Sequence, residues 1–499
     1  MTDLIMRLRK CAEELSQIAD AMAKQVSGSP TIDAEEIKRR LGGDAGAVAE
    51  VLATFGVDAK VEKVCQGPTI NKIELSLSPG CRYSSVTNIE EDLQGALNRR
   101  SIRIEAPIPG SEAVGIEYDR SDPELVTYAE TTVPEVTRLD MLRCRPQVPV
   151  VVGKNIESHT VSFDLATMPH LLVGGASGCG KTMFIHDLIN GLVSSRSPEE
   201  VRLILFDPKC VEFVAYANLP HLVMPVLNDN SQMASALNWA VVEVEKRLKM
   251  FTHVRVRNIR DYNNRKINVE EQFGDIPETL PYIVIIMDEL SDLMLQCRAG
   301  VVPAISRLSA KARAAGIHLV IATQHSGDNV VTGSIKANIP GRIAFKTATP
   351  IDSRAMLDDS GAECLIGRGD CLYRDGEGFL QRVQVPFISD DEIAVNVKRA
   401  IAKYSATEYH LMAPRAIRHS DDVFETDDTD FDRDSLDELV EKAKDVIRRT
   451  KRASAAHFQR HLCWGYKRAS KVVDELERRG MIGPARGSGS REVFMDKLW

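Results

Sequence analysis

The sequence predicts an α/β protein whose central part is a parallel β-sheet covered by helices on both faces. Between about residues 148 and 400, short apolar segments alternate with stretches of helical periodicity. Buried strands joined by helices are typical of such a sheet. Different patterns, described below, flank this part on both sides. The five predicted strands of the sheet are HLLVGG, VRLILFD, YIVIIMDE, IHLVIATQ and GRIAFKT.

The composition is that of a large folded protein. With 499 residues, 43% of them hydrophobic, the chain is long enough for about two to four domains. The net charge of −8 does not suggest nucleic-acid binding, although such an average can hide a basic domain. Ten cysteines without a C-x-x-C pair indicate reduced thiols rather than disulfides or zinc. No apolar run approaches the roughly 18 residues of a membrane span, so we expect a cytoplasmic protein without a membrane partner.

Two segments precede the predicted sheet. Residues 1–60 have apolar positions at helical spacing, with a second helix opening at TIDAEEIKRRLGG, and predict a helical extension. Residues 61–125 contain the alternating strands INKIELSLS and SIRIEAPI around the helical segment NIEEDLQGALNRR. This second segment predicts a small α/β domain.

The stretch GGASGCGKT lies between the first apolar strand and the helical segment TMFIHDLINGL. Its spacing is G-x-x-x-x-G-K-[ST], in which glycines let backbone N–H groups converge on phosphate oxygens at a helix N-terminus. Lys181 is expected to reach the β- and γ-phosphates, and the Thr182 hydroxyl to hold Mg²⁺. A glycine-rich turn without a ligand is the alternative interpretation. The predicted nucleotide-binding residues are Gly175, Ala176, Ser177, Gly178, Cys179, Gly180, Lys181 and Thr182.

A second motif ends the strand YIVIIMDE with Asp288 and Glu289. In a Walker-B arrangement the aspartate supports Mg²⁺, and in motor ATPases the following glutamate polarises the attacking water. The alternative for Glu289 is a solvated acid at the end of a strand.

Polar and basic residues accompany the next strand, IHLVIATQ. Thr323 and Gln324 end it, where a polar side chain can sense the γ-phosphate. The preceding segment ISRLSAKARAAG carries Arg307, Lys311 and Arg313. These cations form either a solvated helix face or positive charge supplied in trans to a neighbouring subunit.

The C-terminal part divides into an acidic and a basic segment. Residues 421–441 contain eleven Asp/Glu and one Arg, and their first part predicts a disordered linker. Residues 451–499 contain eleven Lys/Arg against five Asp/Glu. ASAAHFQRHLCWG and YKRASKVVDELERRG have helix-turn-helix spacing, and MIGPARGSGSREVFM is typical of a two-stranded wing. The second helix would present Lys467, Arg468 and Lys471 to DNA bases, whereas a protein-docking hairpin is the alternative.

Taken in order, these motifs resemble those of the FtsK/SpoIIIE family of double-stranded DNA translocases. The resemblance rests on MPHLLVGGASGCGKT, VRLILFDPK, LPYIVIIMDEL, KARAAGIHLVIATQ, IKANIPGRIAF and IDSRAMLD. GPTINKIELSLSPGCRYSSVTNIEEDLQGAL is similar to the family's alpha domain. RASAAHFQRHLCWGYKRASKVVDELERRGMIGPARGSGSREV is similar to its gamma winged helix. Together these segments cover about residues 60–499.

The resemblance implies a RecA-like P-loop ATPase motor domain over residues 126–405, an acidic linker over 406–440 and a winged-helix DNA-binding domain over 441–499. It implies a homo-hexameric ring that uses ATP and Mg²⁺ to pump double-stranded DNA through its pore. The winged helix would load or orient this motor. The site residues implied are Lys181, Glu289 and Gln324, with Thr182 and Asp288 at the metal and Arg313 as an arginine finger in trans.

The sequence departs from the family pattern at several positions. We expect no counterpart of the family's membrane-spanning N-terminal region, which puts anchoring at a division septum in doubt. His325 stands where a pore loop usually has Arg, Pro350 where the family has Lys, and Cys179 where it has Ser. Lys467 and Lys471 replace an Asn and an Arg of the family's recognition helix, so the DNA sequence it reads does not carry over. Either the grip on DNA phosphates is weaker than in the family or it is restored by Lys336, Arg342 and Lys346.

Several alternatives stay open at this point. The chain is interpreted as a DNA pump, but an ATPase of protein secretion and a non-translocating DNA-binding or partition ATPase are both compatible with parts of the pattern. Chromosome segregation, dimer resolution with a site-specific recombinase as partner, and a phage or plasmid role are all compatible with the motor. At Cys179, N–H dipoles favour a reactive thiolate, and the alternative is a small residue shielded by the loop.

Overall fold

The computed structural model describes residues 34–142, 145–266, 277–325, 327, 330–404, 436–450, 453–454, 458, 466–483 and 493–494. These residues divide into two compact units. The first comprises the described residues up to 195 together with 323–327 and 340–396, and the second comprises the others. Within the described ranges, no helix is both long and apolar enough to cross a membrane.

The first unit opens with a small α/β domain. Its elements are α1 (Ala34–Thr54), β1 (Ala59–Gln66), β2 (Ile70–Leu77), α2 (Tyr83–Thr87), α3 (Glu90–Leu97), β3 (Ile102–Glu105) and β4 (Val114–Asp119). The sheet has the order β1-β2-β4-β3, and each neighbouring pair is antiparallel. The predictions of two strands and a helix are confirmed by β2, β3 and α3, whereas β1 and β4 were not predicted.

The core of this small domain lies between its sheet and its helices. Val48 and Leu52 of α1 are fully buried and pack in one cluster with Ile73 of β2 and Ile116 of β4. Burial of each such side chain contributes about 1.5–3 kcal/mol to folding. α1 confirms the helix predicted to open at TIDAEEIKRRLGG, while the helix predicted before it lies outside the described residues.

The rest of the first unit carries a second sheet with helices. Its elements are α4 (Tyr128–Asp140), β5 (Pro149–Asn155), β6 (Thr160–Asp164), β7 (His170–Gly174), α5 (Lys181–Ser195), β11 (Gly341–Phe345), α11 (Pro350–Leu357), β12 (Asp370–Arg374), β13 (Leu380–Gln384) and the start of α12 (Asp390–Tyr404). The strands follow the order β6-β5-β13-β12-β11-β7. Only β11 and β7 pair in parallel among these, and the other pairs are antiparallel.

The two predicted strands of this unit, β7 and β11, pair in parallel as expected, and the sheet continues into antiparallel strands that were not predicted. β12 and β13 form a hairpin whose turn is closed by Asp375, because its carboxylate accepts the N–H groups of Glu377 and Phe379. β5 and β6 form another hairpin. β6 and β13 were not predicted because they are only partly buried and lack a continuous apolar run.

The second unit contains the remaining predicted strands. Its elements are β8 (Val201–Phe206), a 3₁₀ turn (Val214–Tyr216), α6 (Asn230–His253), α7 (Ile259–Asn263), β9 (Tyr282–Met287), α8 (Leu290–Gln296), α9 (Arg298–Ala315), β10 (Ile317–Thr323) and α10 (Gly333–Asn338). β10, β9 and β8 are parallel neighbours in that order, and β9 and β10 are buried throughout. These three strands confirm the predicted parallel pattern.

The C-terminal part of the second unit has its own small core. α13 (Leu436–Thr450) and α14 (Tyr466–Arg478) pack together through buried residues that include Ile447 and Leu476. Ile482 and Val493 form an antiparallel bridge, as expected at the base of a wing. α14 is the predicted recognition helix. Residues 406–435 of the acidic linker, most of the helix before α14 and the wing tip lie outside the described residues, whereas residues 436–440 of the predicted linker begin α13.

Candidate functional site

The glycine-rich loop follows β7 and leads into α5, as its motif requires. Gly175, Gly178 and Gly180 have φ angles of 150°, 72° and 117°. L-residues with side chains rarely adopt such angles, so the loop conformation depends on glycine at these positions. The backbone N–H groups of such a compact loop can turn toward a phosphate.

Close backbone contacts hold this loop in place. A Cβ added to Gly180 would lie 2.5 Å from the backbone nitrogen of Gly369, and one added to Gly175 would lie 2.7 Å from Cβ of Phe345. The Gly369 N–H donates to the Cys179 carbonyl at 2.8 Å, and the Ala176 N–H donates to the Lys346 carbonyl at 2.9 Å. The loop is therefore a built cradle rather than a free turn.

The side chains of the loop fit a phosphate ligand. Ala176, Ser177 and Gly178 are exposed, Thr182 is half-buried, and Lys181 at the start of α5 is only 4% exposed. Lysine is rarely buried so fully, and here it stands where the motif places a phosphate-binding cation.

Cys179 does not behave as its position suggested. The side chain is 5% exposed, and burial raises the pKa of its thiol although the backbone N–H of Lys181 acts in the opposite direction. Loss of hydration disfavours the anion more than the loop dipoles favour it, which argues against a reactive thiolate. Burial thus favours the alternative interpretation, a small residue shielded by the loop.

A loop that sequence analysis missed lies against the cradle in the same unit. It runs from Ile366 to Asp370 and contains Gly367, Arg368 and Gly369, all with positive φ. The signal in the sequence was the pair of glycines in IGRGD, which marks a backbone that needs left-handed angles. The hydrogen bond from Gly369 of this loop to Cys179 could not be predicted from the sequence.

In the second unit, Asp288 and Glu289 follow β9 directly. Both are 3% exposed. Glu289 begins α8 as its N-cap, and its Oε1 accepts the backbone N–H of Ser291 at 3.2 Å and the Ser291 hydroxyl at 2.8 Å. The alternative of a solvated strand-end acid is wrong, since Glu289 is buried and its carboxylate is oriented.

The basic residues of α9 are all exposed. Arg307, Lys311 and Arg313 lie on its surface, and Arg313 is in the last turn before Gly316 ends the helix in a left-handed conformation. A basic side chain must be exposed to reach a neighbouring subunit, but exposure is equally typical of a solvated helix face. The two interpretations of these residues therefore both stay open.

The end of β10 is organised around Thr323. Its buried hydroxyl donates to the carbonyl of His325 at 3.0 Å and accepts the N–H of the same residue at 3.1 Å. Gln324 is half-buried and His325 is exposed. The backbone that enters the predicted pore loop is thus tied to the strand end.

The candidate DNA-contacting residues differ in their exposure. Lys346 is exposed and Lys336 in α10 is half-buried. Arg342 is 8% exposed, and its guanidinium pairs with the carboxylate of Asp358, so the prediction that it grips DNA is wrong. Lys467, Arg468 and Lys471 lie in the first half of α14, and their side chains fall outside the described residues.

Three segments of the chain match models of known protein families. The FtsK/SpoIIIE family matches residues 139–328, the FtsK alpha domain matches residues 22–118 and the FtsK gamma domain matches residues 434–496. DNA translocase FtsK of Clostridium acetobutylicum is 41% identical over 463 residues, which are 92% of this chain and 58% of that protein. DNA translocase SpoIIIE of Bacillus subtilis is 39% identical over 463 residues, which are 92% of this chain and 57% of that protein.

A solved structure shares the fold. The pCW3 conjugation coupling protein TcpA, in its monomer form with ATPγS, superposes with a TM-score of 0.50 at 23% identity, covering 73% of this chain and 99% of TcpA. This likeness bears on the fold alone. The chain spans somewhat less than three fifths of the two curated relatives. Because the alpha, motor and gamma segments match in sequence order and the motor carries the phosphate loop and its acidic strand end, the chain belongs to the FtsK/SpoIIIE family.

Proposed function

We propose that this protein is an ATP-driven motor that translocates double-stranded DNA. The observation that carries the proposal is that relatives matching 92% of the chain, across all three family domains, are named DNA translocases. The glycine cradle and the buried acid pair support nucleotide hydrolysis as the source of energy.

Each site residue has a chemical role in the proposal. Lys181 binds the β- and γ-phosphates, where its charge also stabilises the transition state. Glu289 polarises the attacking water, and its hydrogen bonds to Ser291 hold the carboxylate in one orientation before water arrives. Gln324 senses the γ-phosphate and passes its loss to the loop that begins at His325. Arg313 of a neighbouring subunit supplies the remaining positive charge.

The chain offers ligands of the type that Mg²⁺ prefers. Among the residues described, no cluster of three or more His, Cys, Asp or Glu could hold a metal alone. A hydroxyl from Thr182 and a carboxylate from Asp288 are hard oxygen donors, which suit Mg²⁺ that keeps waters and nucleotide phosphates as further ligands. When bound, the ion neutralises charge on the phosphates.

The proposed assembly is a homo-hexameric ring with DNA in its pore. His325, Lys336 and Lys346 are the pore candidates that remain after Arg342 is removed from the set. The C-terminal domain reads DNA through Lys467, Arg468 and Lys471 of α14 and loads or orients the motor. A site-specific recombinase is a proposed partner of a motor used for chromosome dimer resolution, and the cytoplasm is its proposed location.

The ATPase rate with and without double-stranded DNA tests this function. We expect duplex DNA to stimulate hydrolysis by the full chain severalfold, and Lys181→Ala to abolish it under both conditions. A folded protein that hydrolyses ATP at the same rate with and without DNA would contradict DNA translocation and favour an ATPase of protein transport.

A further inference from the structure

Arg368 has a backbone conformation that is unfavourable for a residue with a side chain. Its φ is 55°, and it lies between Gly367 and Gly369, which both have a φ of 91°. Left-handed angles are costly for L-residues other than glycine and, less so, Asn or Asp. Such outliers persist where the surroundings impose them, and they concentrate at functional sites.

The surroundings of Arg368 impose its position from one side. The carbonyl of Arg368 accepts a hydrogen bond from the Gln384 side-chain amide at 2.9 Å. Asp370, two residues later, is held by Arg382 through two hydrogen bonds of 3.0 and 2.7 Å, and Asp370 in turn accepts the N–H of Ile366 at 2.8 Å. The loop is therefore closed on itself and anchored to β13.

From the other side the same loop is fixed to the phosphate cradle. The Gly369 N–H binds the Cys179 carbonyl, and Gly369 packs so closely on Gly180 that no Cβ fits between them. Consecutive Cα atoms are about 3.8 Å apart, so the Arg368 backbone lies beside the cradle. A shift of this loop would require the cradle to shift with it.

The side chain of Arg368, in contrast, is exposed. It forms no hydrogen bond or ion pair with any residue that the structure describes. A guanidinium on this fixed backbone, exposed and without a partner among the described residues, is available to bind phosphate oxygens through paired N–H groups.

We infer that Arg368 is a second phosphate-binding cation of the same subunit, contacting the polyphosphate of the nucleotide held by the glycine cradle. The inference rests on the proposed ATP binding and adds to Lys181 a residue outside the P-loop motif. Its loop links nucleotide occupancy to β12 and β13 by way of Asp370 and Arg382.

The test exploits a matched pair of arginines. Arg255 is also exposed and also has a positive φ, of 57°. It follows α6 in the chain and belongs neither to the glycine-rich loop nor to the loop from Ile366 to Asp370. Replacing either by glycine removes a cation and relieves the same backbone strain. Only Arg368→Gly is expected to weaken nucleotide binding.

The affinities of wild type, Arg368→Gly, Arg368→Lys and Arg255→Gly for ATP, ADP and adenosine are measured by competition against a fluorescent ATP analogue, with thermal unfolding of each ligand-free protein. We expect Arg368→Gly to bind ATP and ADP roughly 10- to 100-fold more weakly, as for loss of a charged hydrogen bond. Adenosine binding and thermal stability should not fall. Arg368→Lys should be intermediate, and Arg255→Gly should bind like wild type.

Equal ATP affinity of Arg368→Gly and wild type would overturn the inference, as would an equal loss for adenosine. Both results leave the proposed ATP binding intact. A folded wild-type protein that fails to bind ATP would instead contradict the proposed function itself.

Discussion

The backbone N–H of Gly369 donates a 2.8 Å hydrogen bond to the carbonyl oxygen of Cys179, which joins the loop before β12 to the phosphate cradle. At the next residue of the cradle, a Cβ on Gly180 would lie 2.5 Å from the Gly369 nitrogen. The cradle therefore owes its shape to a segment about 190 residues further along the chain.

Substitution of two glycines of the cradle tests this contact together with the cost of a positive φ, which is 72° at Gly178 and 117° at Gly180. Gly178→Ala places a Cβ in open space, whereas Gly180→Ala forces it against backbone, although both positions have positive φ. We expect Gly180→Ala to destabilise the protein by about 1–3 kcal/mol more than Gly178→Ala, because overpacking adds to the strain. Denaturant unfolding of both variants measures the difference. Equal free energies of unfolding would show that the Gly369 backbone moves away from the added Cβ without loss of stability.

Arg382 is predicted to stabilise the first unit strongly. It binds Glu117 at 3.1 Å and Asp370 at 2.7 Å, and all three are nearly fully buried. Burial alone would raise the pKa of Glu117, but Arg103 and Arg382 outweigh it and keep the carboxyl ionised. Arg382→Met leaves two buried carboxylates with fewer partners and should cost about 3–5 kcal/mol in unfolding experiments.

The exposed pair Lys63–Glu157, at 2.8 Å, is the matched control for Arg382. Lys63→Met should cost no more than about 1 kcal/mol, because solvent screens an exposed ion pair. Similar small losses for the two methionine variants would contradict the assigned role of Arg382.

Asp187 predicts a pH dependence of stability. It is fully buried in α5, and burial raises its pKa from 3.8 to about 8, although the Thr132 hydroxyl donates to it at 2.6 Å. Between these pH values the folded protein binds more protons than the unfolded chain, so stability falls as pH rises and levels off above about 8. The slope from this group is at most about 1.4 kcal/mol per pH unit.

Asp187→Asn removes the titration while retaining a group that can accept from Thr132. We expect the Tm of Asp187→Asn to rise relative to the Tm of the wild type as pH increases from 5 to 8. A difference that stays constant over this range would show that Asp187 does not retain its proton.

Much of the fold was predictable because its signals are local. Fully buried strands such as β9 and β10 appear as continuous apolar runs, and the phosphate loop has a fixed spacing before an amphipathic helix. The antiparallel strand β6 gives no such signal, because every residue in it is half-buried.

The site was predictable to the extent that its residues lie within motifs. Lys181 was predicted from the spacing of the glycine-rich motif, and Asp288 and Glu289 from their place at the end of an apolar strand. The role of Arg342 was misread because its partner Asp358 is a matter of tertiary structure. Arg368 was missed for a similar reason, since only the folded chain brings its loop to Cys179.

If Arg313 acts in the pocket of a neighbouring subunit, two inactive variants should complement each other. Lys181→Ala and Arg313→Ala should each abolish ATP hydrolysis, but a mixture should recover part of it, because a Lys181→Ala subunit can lend its arginine to an intact neighbouring pocket. Arg307→Ala, which changes an exposed arginine of the same helix, should remain active alone. ATPase rates across mixing ratios measure this. Mixtures that stay inactive at every ratio would contradict donation in trans.

Displacement of a triplex-forming strand from double-stranded DNA tests the central claim most directly, because it requires movement along the duplex and not merely binding. The wild-type protein should displace the strand with ATP but not with ATPγS. Glu289→Gln should bind ATP and DNA yet leave the triplex intact, since the polarising carboxylate is gone. DNA-stimulated ATP hydrolysis by the wild-type protein with the third strand still in place would contradict translocation.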